Sequence, residues 1–519
     1  LDMDLLKETH KNIVEDLEKN KKIVMKSLLD TSAAKKWVMD TAHNTYPPSH
    51  KGNWAQNLCM RYSLNIPKSE KTGKYSLTAK NIEELDDSPQ KEFLLTGNIE
   101  LLDDLEVARI SMSMWKESND GDHINIQSKK HLGEICFKYM GIKPKSQTRK
   151  GNAQFDMTML EELSKTYAWA ENLRIYNKLL KIKSTYIDRF IDGAEDGRYY
   201  FYFKQNGTVS GRYGSDAQQL PKPKEDGEDA PIIVRYNNIV RAFLVAGSGR
   251  KVIDSDYESL EPHCFASVSG DKKLQEIFAN NYDFYSYVAI QTEKLEGVSA
   301  DKKADNYLKK LDPVKRNKAK AYSLGVAYGM EAFALKMTLG VDQKTAEGLI
   351  KGYLDGFPEL AKWRESSRKQ VKENGFIKNY VGRIRHLPKV KKIYDKFGDQ
   401  FLNWRFRKEL EPQYGRPQVL QVYRDYRNGL NNCLNFQLQS LAAAVVNRAA
   451  IQINRKAKEM NIDAIVQAQV HDQLLINIRE DQAKEFAPVV QQIMENTTKL
   501  PGVVLKAPPE ISNNCRDGH

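Results

Sequence analysis

The strongest structural signal in the chain is the segment DPVKRNKAKAYSLGVAYG, residues 312–329. Asp312 is a suitable helix N-cap and Pro313 suits the first helical position, so we predict a helix from this point. Four residues at four-residue spacing share one stripe of that helix. They are Arg316, Lys320, Leu324 and Tyr328. Two cations followed by a flat surface suit a triphosphate and its base, whereas the simpler alternative is a solvated basic face.

Glycines near the end of this helix need a physical reason. Gly325 and Gly329 lie within the predicted helical pattern, and a glycine inside a helix costs about 1 kcal/mol relative to alanine. Close approach of a ligand or of another backbone would explain both, and we therefore expect a functional surface here.

Two other segments place an aspartate where an apolar strand ends. They are KVIDSDYESLE (251–261), with Asp256, and AIVQAQVHDQLLI (464–476), with Asp472 at an interruption between β-forming runs. Acids at the end of one strand and at a hairpin tip can share a pair of divalent metal ions in phosphoryl transfer. Such an aspartate is also common as a turn or capping residue.

Composition narrows the functional classes. The 519 residues include 80 Lys and Arg against 68 Asp and Glu, a formal net charge of +12. This charge suits a polyanionic partner, although a solvated basic surface gives the same balance. No apolar run reaches transmembrane length. The five cysteines are scattered without a CxxC pair, so the sequence favours a reducing compartment over a disulfide framework or a zinc site.

Apolar spacing predicts a long helix from Leu5 to about Leu29 with one basic side. We predict that residues 40–185 form mostly helices and basic loops. Within them, Cys59-x-x-Tyr62 followed by Pro67-Lys68-Ser69 recurs as Cys136-x-x-Tyr139 followed by Pro144-Lys145-Ser146. We interpret this as a duplicated helical module, with coincidence as the alternative.

Two further segments stand out. Residues 221–231 are rich in breakers and predict an exposed loop. Residues 390–428 interleave aromatic and cationic residues, which suits a single nucleic-acid strand, although an amphipathic packing segment is at least as consistent. Their aromatic members are Trp404, Phe406, Tyr414, Tyr423 and Tyr426.

Taken in this order, the three elements resemble DNA polymerase family A, that is, bacterial DNA polymerase I and its phage relatives. The family's motif A matches residues 256–261, motif B matches 316–329, and motif C, His-Asp-Glu, matches 471–473. Weaker matches include Lys183–Tyr186, Ser210–Arg212, Arg241–Phe243 and the pair Asn435 and Gln439. Residues 40–120 and 390–428 stand out as insertions.

The resemblance implies an α+β, right-hand polymerase fold with a helical thumb, helical fingers and a palm built on an antiparallel sheet. It divides the chain into a thumb at 1–190, a first palm part at 191–270, fingers at 271–390, a basic and aromatic insertion at 391–430, and a second palm part at 431–519.

It also implies roles for individual residues. Asp256 and Asp472, with the carbonyl of Tyr257, would bind two Mg²⁺ ions, for which Mn²⁺ can substitute. Lys320 would act as a catalytic proton donor to the leaving pyrophosphate. The nucleotide-binding residues would be Tyr257, Glu261, Arg316, Lys320, Leu324 and Tyr328, with Glu261 excluding a 2′-hydroxyl. The DNA-binding residues would be Lys183, Arg212, Arg241, Asn435, Gln439 and His471.

The implied function is template-directed DNA synthesis from dNTPs on a primer-template, with no proofreading exonuclease on this chain. We also expect a monomer without membrane contact, located in the cytoplasm (the nucleoid or an infected host). The thumb insertion would lengthen the grip on duplex DNA or bind a replication partner.

Two departures from the family pattern leave alternatives open. Gln473 replaces the usual Glu of motif C, and Leu324 replaces an aromatic residue. Gln473 favours one alternative, a catalytically lapsed polymerase that acts as a DNA-binding or processivity module. A single-subunit RNA polymerase of related fold is a second alternative, against which Glu261 argues.

Overall fold

The computed structural model describes residues 1–119, 122–144, 146–147, 153–222 and 231–517. Most of the predicted loop at 221–231, and Lys145 of the predicted repeat, therefore lie outside the described residues. The chain divides into two compact units. One comprises residues 1–3, 193–230 and 237–519, and the other comprises residues 4–192 and 231–236.

Among the described residues of the smaller unit, the regular elements are helices joined by loops. Its helices are α1 (Met3–Leu29), α2 (Ser32–Thr45), α3 (Gly52–Arg61), α4 (Ala79–Glu83), α5 (Pro89–Thr96), α6 (Asp104–Glu117), α7 (Lys129–Glu134), α8 (Met157–Leu163), α9 (Ala168–Ile182) and α10 (Asp188–Asp192). A short π-helical turn follows α7 (Ile135–Tyr139) and another follows α9 (Lys183–Ile187).

Helix α1 confirms the predicted long helix. Its buried apolar residues recur at helical spacing and leave a basic solvent face, because three- and four-residue steps return to one side of a helix. They are Leu6, Ile13, Leu17, Val24 and Leu28. The prediction from spacing therefore identified the buried face correctly.

The predicted repeat has the same local structure in both copies. In the first, α3 ends before Tyr62, an isolated antiparallel bridge joins Lys68 to Tyr75, and Thr78 caps α4. In the second, the helix ends at Tyr139, a bridge joins Gln147 to Ala153, and Asp156 caps α8. Helix, bridged loop and capped helix therefore follow one another twice, which supports a duplicated module.

The segment around the first copy has a hydrophobic core of its own, made of residues between 54 and 110. Trp54, Leu58 and Phe93 are among its buried members, and the Trp54 indole donates to Ser111 Oγ at 3.2 Å. The predicted insertion at 40–120 thus contains a separately packed cluster rather than an extended spacer.

The larger unit combines helices with two antiparallel sheets. Its elements, with α11 beginning in the smaller unit, are α11 (Ile232–Ala242), β1 (Arg250–Asp256), α12 (Leu260–Ser269), α13 (Lys272–Ala279), α14 (Phe284–Glu293), α15 (Leu308–Leu311), α16 (Pro313–Ala327), α17 (Ala332–Leu339), α18 (Gln343–Gly356), α19 (Pro358–Asn374), β2 (Phe376–Lys378), β3 (Ile384–His386), α20 (Pro388–Phe397), α21 (Trp404–Tyr414), α22 (Arg416–Glu459), β4 (Ala464–Val470), β5 (Gln473–Arg479), α23 (Glu480–Asn496) and β6 (Pro509–Ser512).

The main sheet has the order β4-β5-β1-β6, and its neighbouring strands are antiparallel. β5 is mostly apolar and is buried except at Arg479, and β1 is buried from Val252 to Ser255. The sheet and helices α12, α14, α16, α18, α22 and α23 share the largest hydrophobic core. The predicted α+β class, helices with an antiparallel sheet, is confirmed.

The aromatic residues of 390–428 pack mainly against one another and against α22. Phe397 stacks on Phe401 with ring centroids 4.9 Å apart, and Tyr426 is fully buried. The Arg407 guanidinium lies 3.7 Å from the centre of the Tyr423 ring. Trp404, by contrast, is 60% exposed. The packing interpretation therefore accounts for most of this segment.

Two other predictions concern the described residues. No helix among them is both long enough and apolar enough to cross a membrane. All five cysteines are buried and unpaired with one another, as expected for a chain without a disulfide framework.

Candidate active site

Strand pairing brings the two predicted metal-binding aspartates together. Asp256 ends β1 opposite Gln473, the first residue of β5, and Asp472 immediately precedes Gln473. The Tyr257 amide N–H lies 3.5 Å from the Asp472 carbonyl oxygen. His471 adopts a positive φ of 58° at the tip of the β4–β5 hairpin. Residues more than 200 positions apart thus meet at one corner of the sheet.

The two carboxylates share an unfavourable electrostatic environment. Burial, together with the adjacent charge of Asp256, raises the pKa of Asp472. Burial also raises the pKa of Asp256, and the Lys222 ammonium, 3.6 Å from Asp256 Oδ2, opposes that rise. Two neighbouring buried acids are stabilised as anions by nearby positive charge or by hydrogen bonds donated to them.

The aspartate pair fits divalent cations. Asp256 Oδ1 is buried and has no hydrogen-bond partner among the described residues, and carboxylate oxygen is the ligand that Mg²⁺ prefers. No group of three or more His, Cys, Asp or Glu in the described part of the chain could hold a metal ion. Mg²⁺ typically uses one or two carboxylates and completes its shell with water and substrate phosphates, so a pair is sufficient.

A cavity of about 260 Å³ opens beside Asp472. Glu261, in the first turn of α12, contributes to its wall, as do Arg212 and Leu324. The Tyr328 hydroxyl donates to Glu261 Oε2 at 2.6 Å, and Arg212 forms an ion pair with Oε1 of the same carboxylate. Burial and the nearby Glu261 charge raise the pKa of Tyr328, so the phenol stays protonated as the donor.

Helix α16 begins as predicted, because Asp312 accepts a hydrogen bond from the Lys315 N–H at 3.0 Å and Pro313 is the first helical residue. Gly329 follows the helix with φ 96°, and an added Cβ would meet Arg368 Nη2 at 2.8 Å and collide with the Asn431 side chain. Its positive φ and these two side chains explain the glycine, which lies just past the end of the helix and not inside it as the sequence suggested.

Arg316 is less available than the sequence implied. Its Nε and Nη2 donate to the Asp283 carboxylate at 2.9 and 3.0 Å, and both side chains are largely buried. The centre of the Tyr285 ring lies 5.0 Å from the Arg316 guanidinium carbon and 5.7 Å from Lys320 Nζ. Asp283 lies 33 residues before Arg316, and the sequence gives no local signal for this pairing.

Comparison with known proteins identifies the family. The family model described as DNA polymerase family A matches residues 100–517. The chain belongs to DNA polymerase family A. It is 26% identical over 433 residues to DNA polymerase I of Pseudomonas aeruginosa, covering 82% of this chain and 42% of that protein. It is 26% identical over 384 residues to the thermostable DNA polymerase I of Thermus filiformis, covering 73% of this chain and 40% of that one.

A solved structure supports the same fold. It is the POL domain of Pol1 from M. smegmatis in complex with DNA primer-template and dNTP, with a TM-score of 0.62 and 23% identity, covering 78% of this chain and 64% of that one. The predicted right-hand polymerase fold is thereby confirmed. The chain spans about two fifths of the length of the curated relatives it matches. The limits proposed for thumb, palm and fingers stay predictions.

The family A resemblance placed Arg241 at the DNA, and the structure requires a correction. Arg241 is 0% exposed. Its Nε donates to the Pro221 carbonyl at 2.8 Å and its Nη1 donates to Gln473 Oε1 at 3.1 Å. A fully enclosed guanidinium cannot contact a nucleic acid, so Arg241 acts inside the palm.

The other predicted family A DNA contacts stay predictions. Asn435 and Gln439 lie half-buried on α22, and Asn435 Oδ1 has no partner among the described residues. His471 lies at the hairpin tip beside the cavity. Lys183, in the helical unit, is paired with Asp188 at 2.8 Å.

A second cavity of about 620 Å³ adjoins the end of α16 and was not foreseen. Arg364 and Arg368 line it together with Phe333, which is strongly exposed. The Nε atoms of both arginines are buried without a partner among the described residues. Arg368 Nη2 nevertheless donates to Asn431 Oδ1 at 2.9 Å, and Arg364 is 8% exposed, so both guanidiniums belong mainly to the packing of this wall.

Proposed function

We propose that this chain is a template-directed DNA polymerase that adds dNTPs to a primer 3′-hydroxyl by two-metal-ion phosphoryl transfer. The observation that carries the proposal is the meeting of Asp256 and Asp472 beside a cavity walled by Glu261. Its membership of family A, and relatives named DNA polymerase I, support the same activity.

Asp256 and Asp472 would hold two Mg²⁺ ions, and Mn²⁺ could replace them because it accepts the same oxygen ligands. Bound there, the ions would neutralise charge on the reacting phosphate and assist attack and departure. The Tyr257 side chain is committed elsewhere, since its hydroxyl donates to the Met494 carbonyl at 2.7 Å. Only its backbone carbonyl therefore remains a candidate ligand.

Lys320 would contact the triphosphate and protonate the departing pyrophosphate. Arg316 would assist mainly by holding α16 against α14, because Asp283 already neutralises its charge. Leu324 contributes an apolar wall, which offers contact with the incoming base but no aromatic stacking.

Glu261 would select deoxyribose. Tyr328 and Arg212 fix its carboxylate from two directions, so a 2′-hydroxyl would meet a rigid, charged obstacle rather than a side chain that can rotate away. Pre-organised groups discriminate best because no rearrangement relieves the conflict.

The lapsed-polymerase alternative rests on Gln473. The structure pairs Gln473 with the buried carboxylate of Asp254, so Gln473 has a defined partner on β1. Asp256, Asp472 and Lys320 are all present, which favours an active enzyme over a binding module.

Primer extension tests the proposal. Wild-type protein and Asp472→Ala are mixed with a labelled primer-template, Mg²⁺ and either dNTPs or rNTPs. We expect extension with dNTPs only, abolished by the substitution. Extension with rNTPs would instead favour the RNA polymerase alternative, and tight, salt-sensitive DNA binding without extension would favour the binding module.

We also propose a role for the predicted thumb insertion. The first repeat copy exposes Lys68, Lys71 and Lys74 around a bridged loop, which suits duplex phosphates. A docking surface for a replication partner is the alternative. A monomeric state, a cytoplasmic location and the lack of proofreading stay predictions, and degradation of a mismatched primer would contradict the last of them.

A further inference from the structure

A buried polar chain runs beneath the two aspartates. Asp254 and Gln473 are each 2% exposed. Gln473 Nε2 donates to both carboxylate oxygens of Asp254 at 2.6 Å. Gln473 Oε1 accepts from Arg241 Nη1 at 3.1 Å, and Arg241 Nε donates to the Pro221 carbonyl at 2.8 Å. Each of these three side chains therefore has a defined partner.

These hydrogen-bonded side chains connect the segments that carry Asp256, Asp472 and Lys222. Asp254 and Asp256 are two residues apart on β1 and so project from the same face of the sheet. Gln473 follows Asp472 directly and lies opposite Asp256 in the strand register. Pro221 precedes Lys222, whose ammonium lies 3.6 Å from Asp256 Oδ2. A shift of Asp254, Gln473 or Arg241 would therefore displace a side chain at the aspartate pair.

The pairing of Asp254 with Gln473 depends on their side-chain chemistry. The amide of Gln473 offers N–H donors to Asp254 and a carbonyl oxygen to Arg241 from one planar group, whereas an ionised carboxylate accepts hydrogen bonds but donates none. A Glu at 473 would place a carboxyl oxygen where the Nε2 of Gln473 now donates, so both hydrogen bonds to Asp254 would be lost. An Asn at 254 would leave two amides and no acid.

We infer that Asp254, Gln473 and Arg241 are positioning residues for Asp256 and Asp472, and that the site requires one acid and one amide at positions 254 and 473. The inference rests on the proposed function only for its activity readout. It assigns the glutamine at 473 to a partner on β1 rather than to a loss of function.

Charge exchange tests this inference. The variants are Q473E, D254N and the double variant D254N/Q473E, in which acid and amide change places. Gln482→Glu is the matched control, because its Oε1 only accepts the Asp463 N–H at 2.8 Å and a carboxylate accepts equally well. The readouts are the thermal midpoint in EDTA, the Kd for primer-template, and kcat for single-nucleotide extension.

We expect each single variant to lose about 10- to 100-fold in kcat, with the Kd for primer-template unchanged. The double variant should recover kcat to within about threefold of wild type, because coupled partners are not additive. In EDTA, Q473E should have the lowest midpoint, and the double variant should regain most of the loss. Gln482→Glu should match wild type in every readout.

The opposite pattern overturns the inference. The inference fails if Q473E has the same kcat and thermal midpoint as wild type. It also fails if the double variant is no better than the worse single variant in both quantities. Should Q473E not fold, D254N still tests the need for an acid, and unchanged kcat in D254N would reject it. Wild-type protein that does not extend primers would reject the proposed function, while the midpoints in EDTA would still report on the pairing.

Discussion

Replacing Asp283 with Asn should destabilise the protein by about 2–3 kcal/mol. Asp283 accepts two hydrogen bonds from Arg316, at 2.9 and 3.0 Å, and also caps α14 by accepting from the Ser286 N–H at 3.1 Å. The asparagine oxygen can keep the cap, so the loss arises from the ion pair.

The magnitude follows from burial. The Arg316 and Asp283 side chains are 16% and 9% exposed. Removing one partner of a buried pair costs about 3–5 kcal/mol because the other charge stays desolvated. The slight exposure of Arg316, and the amide oxygen that replaces the carboxylate, lower this to the value above.

A double-mutant cycle provides the assay. Asp283→Asn, Arg316→Met and the combination are unfolded with urea and followed by circular dichroism. We expect a coupling free energy of about 2 kcal/mol. Asp312→Asn is the control, since this exposed cap retains its acceptor, and it should change stability by less than about 0.5 kcal/mol. A coupling below about 0.5 kcal/mol would refute the reasoning.

The pair also predicts a pH dependence. Burial acts to raise the pKa of Asp283, but the hydrogen bonds from Arg316 and Ser286 outweigh it and the pKa is lowered. A depressed acid pKa stabilises the folded state above the unfolded value of about 3.9, and this contribution is lost as pH falls further. The stability difference between wild type and Asp283→Asn should be constant from pH 7 to about 5 and should shrink below about pH 4.

Three further changes have defined outcomes. Glu261→Ala should reduce the preference for dNTP over rNTP by about 10- to 100-fold, measured by competing single-nucleotide incorporation; an unchanged preference would exclude Glu261 as the sugar gate. Gly329→Ala should lower the free energy of unfolding by about 2–3 kcal/mol, whereas Gly348→Ala, which has open space around it, should not. The double variant Lys68→Ala/Lys71→Ala should reduce the magnitude of the slope of log K against log salt by about 1.8, where K is the association constant for primer-template. Lys369→Ala, in the other unit, is the control. An unchanged slope would exclude the first repeat copy from the DNA interface.

Local signals in the sequence were sufficient for several elements. The Asp312-Pro313 cap located the start of α16 and apolar spacing located the buried face of α1, because both depend on neighbouring residues alone. Strand-end aspartates and their motif context also predicted the acids that β1 and β5 bring together.

Contacts between distant residues were not predictable in this way. Asp283 neutralises Arg316, and Asp254 binds Gln473 across 219 positions. Neither pairing produces a spacing pattern in the sequence. Arg241 was assigned to DNA from its motif, although it is completely buried. The sequence pattern reports residue type and spacing, whereas burial depends on how the palm packs.

The most direct test of the proposed site is a count of bound metal ions. Mn²⁺ is titrated, with detection by electron paramagnetic resonance, into protein holding a dideoxy-terminated primer-template and dNTP. We expect two Mn²⁺ ions per wild-type chain and per Asp312→Asn chain, and at least one fewer in Asp256→Asn and in Asp472→Asn. An equal count in all four proteins would contradict the assignment of Asp256 and Asp472 as the metal-binding pair.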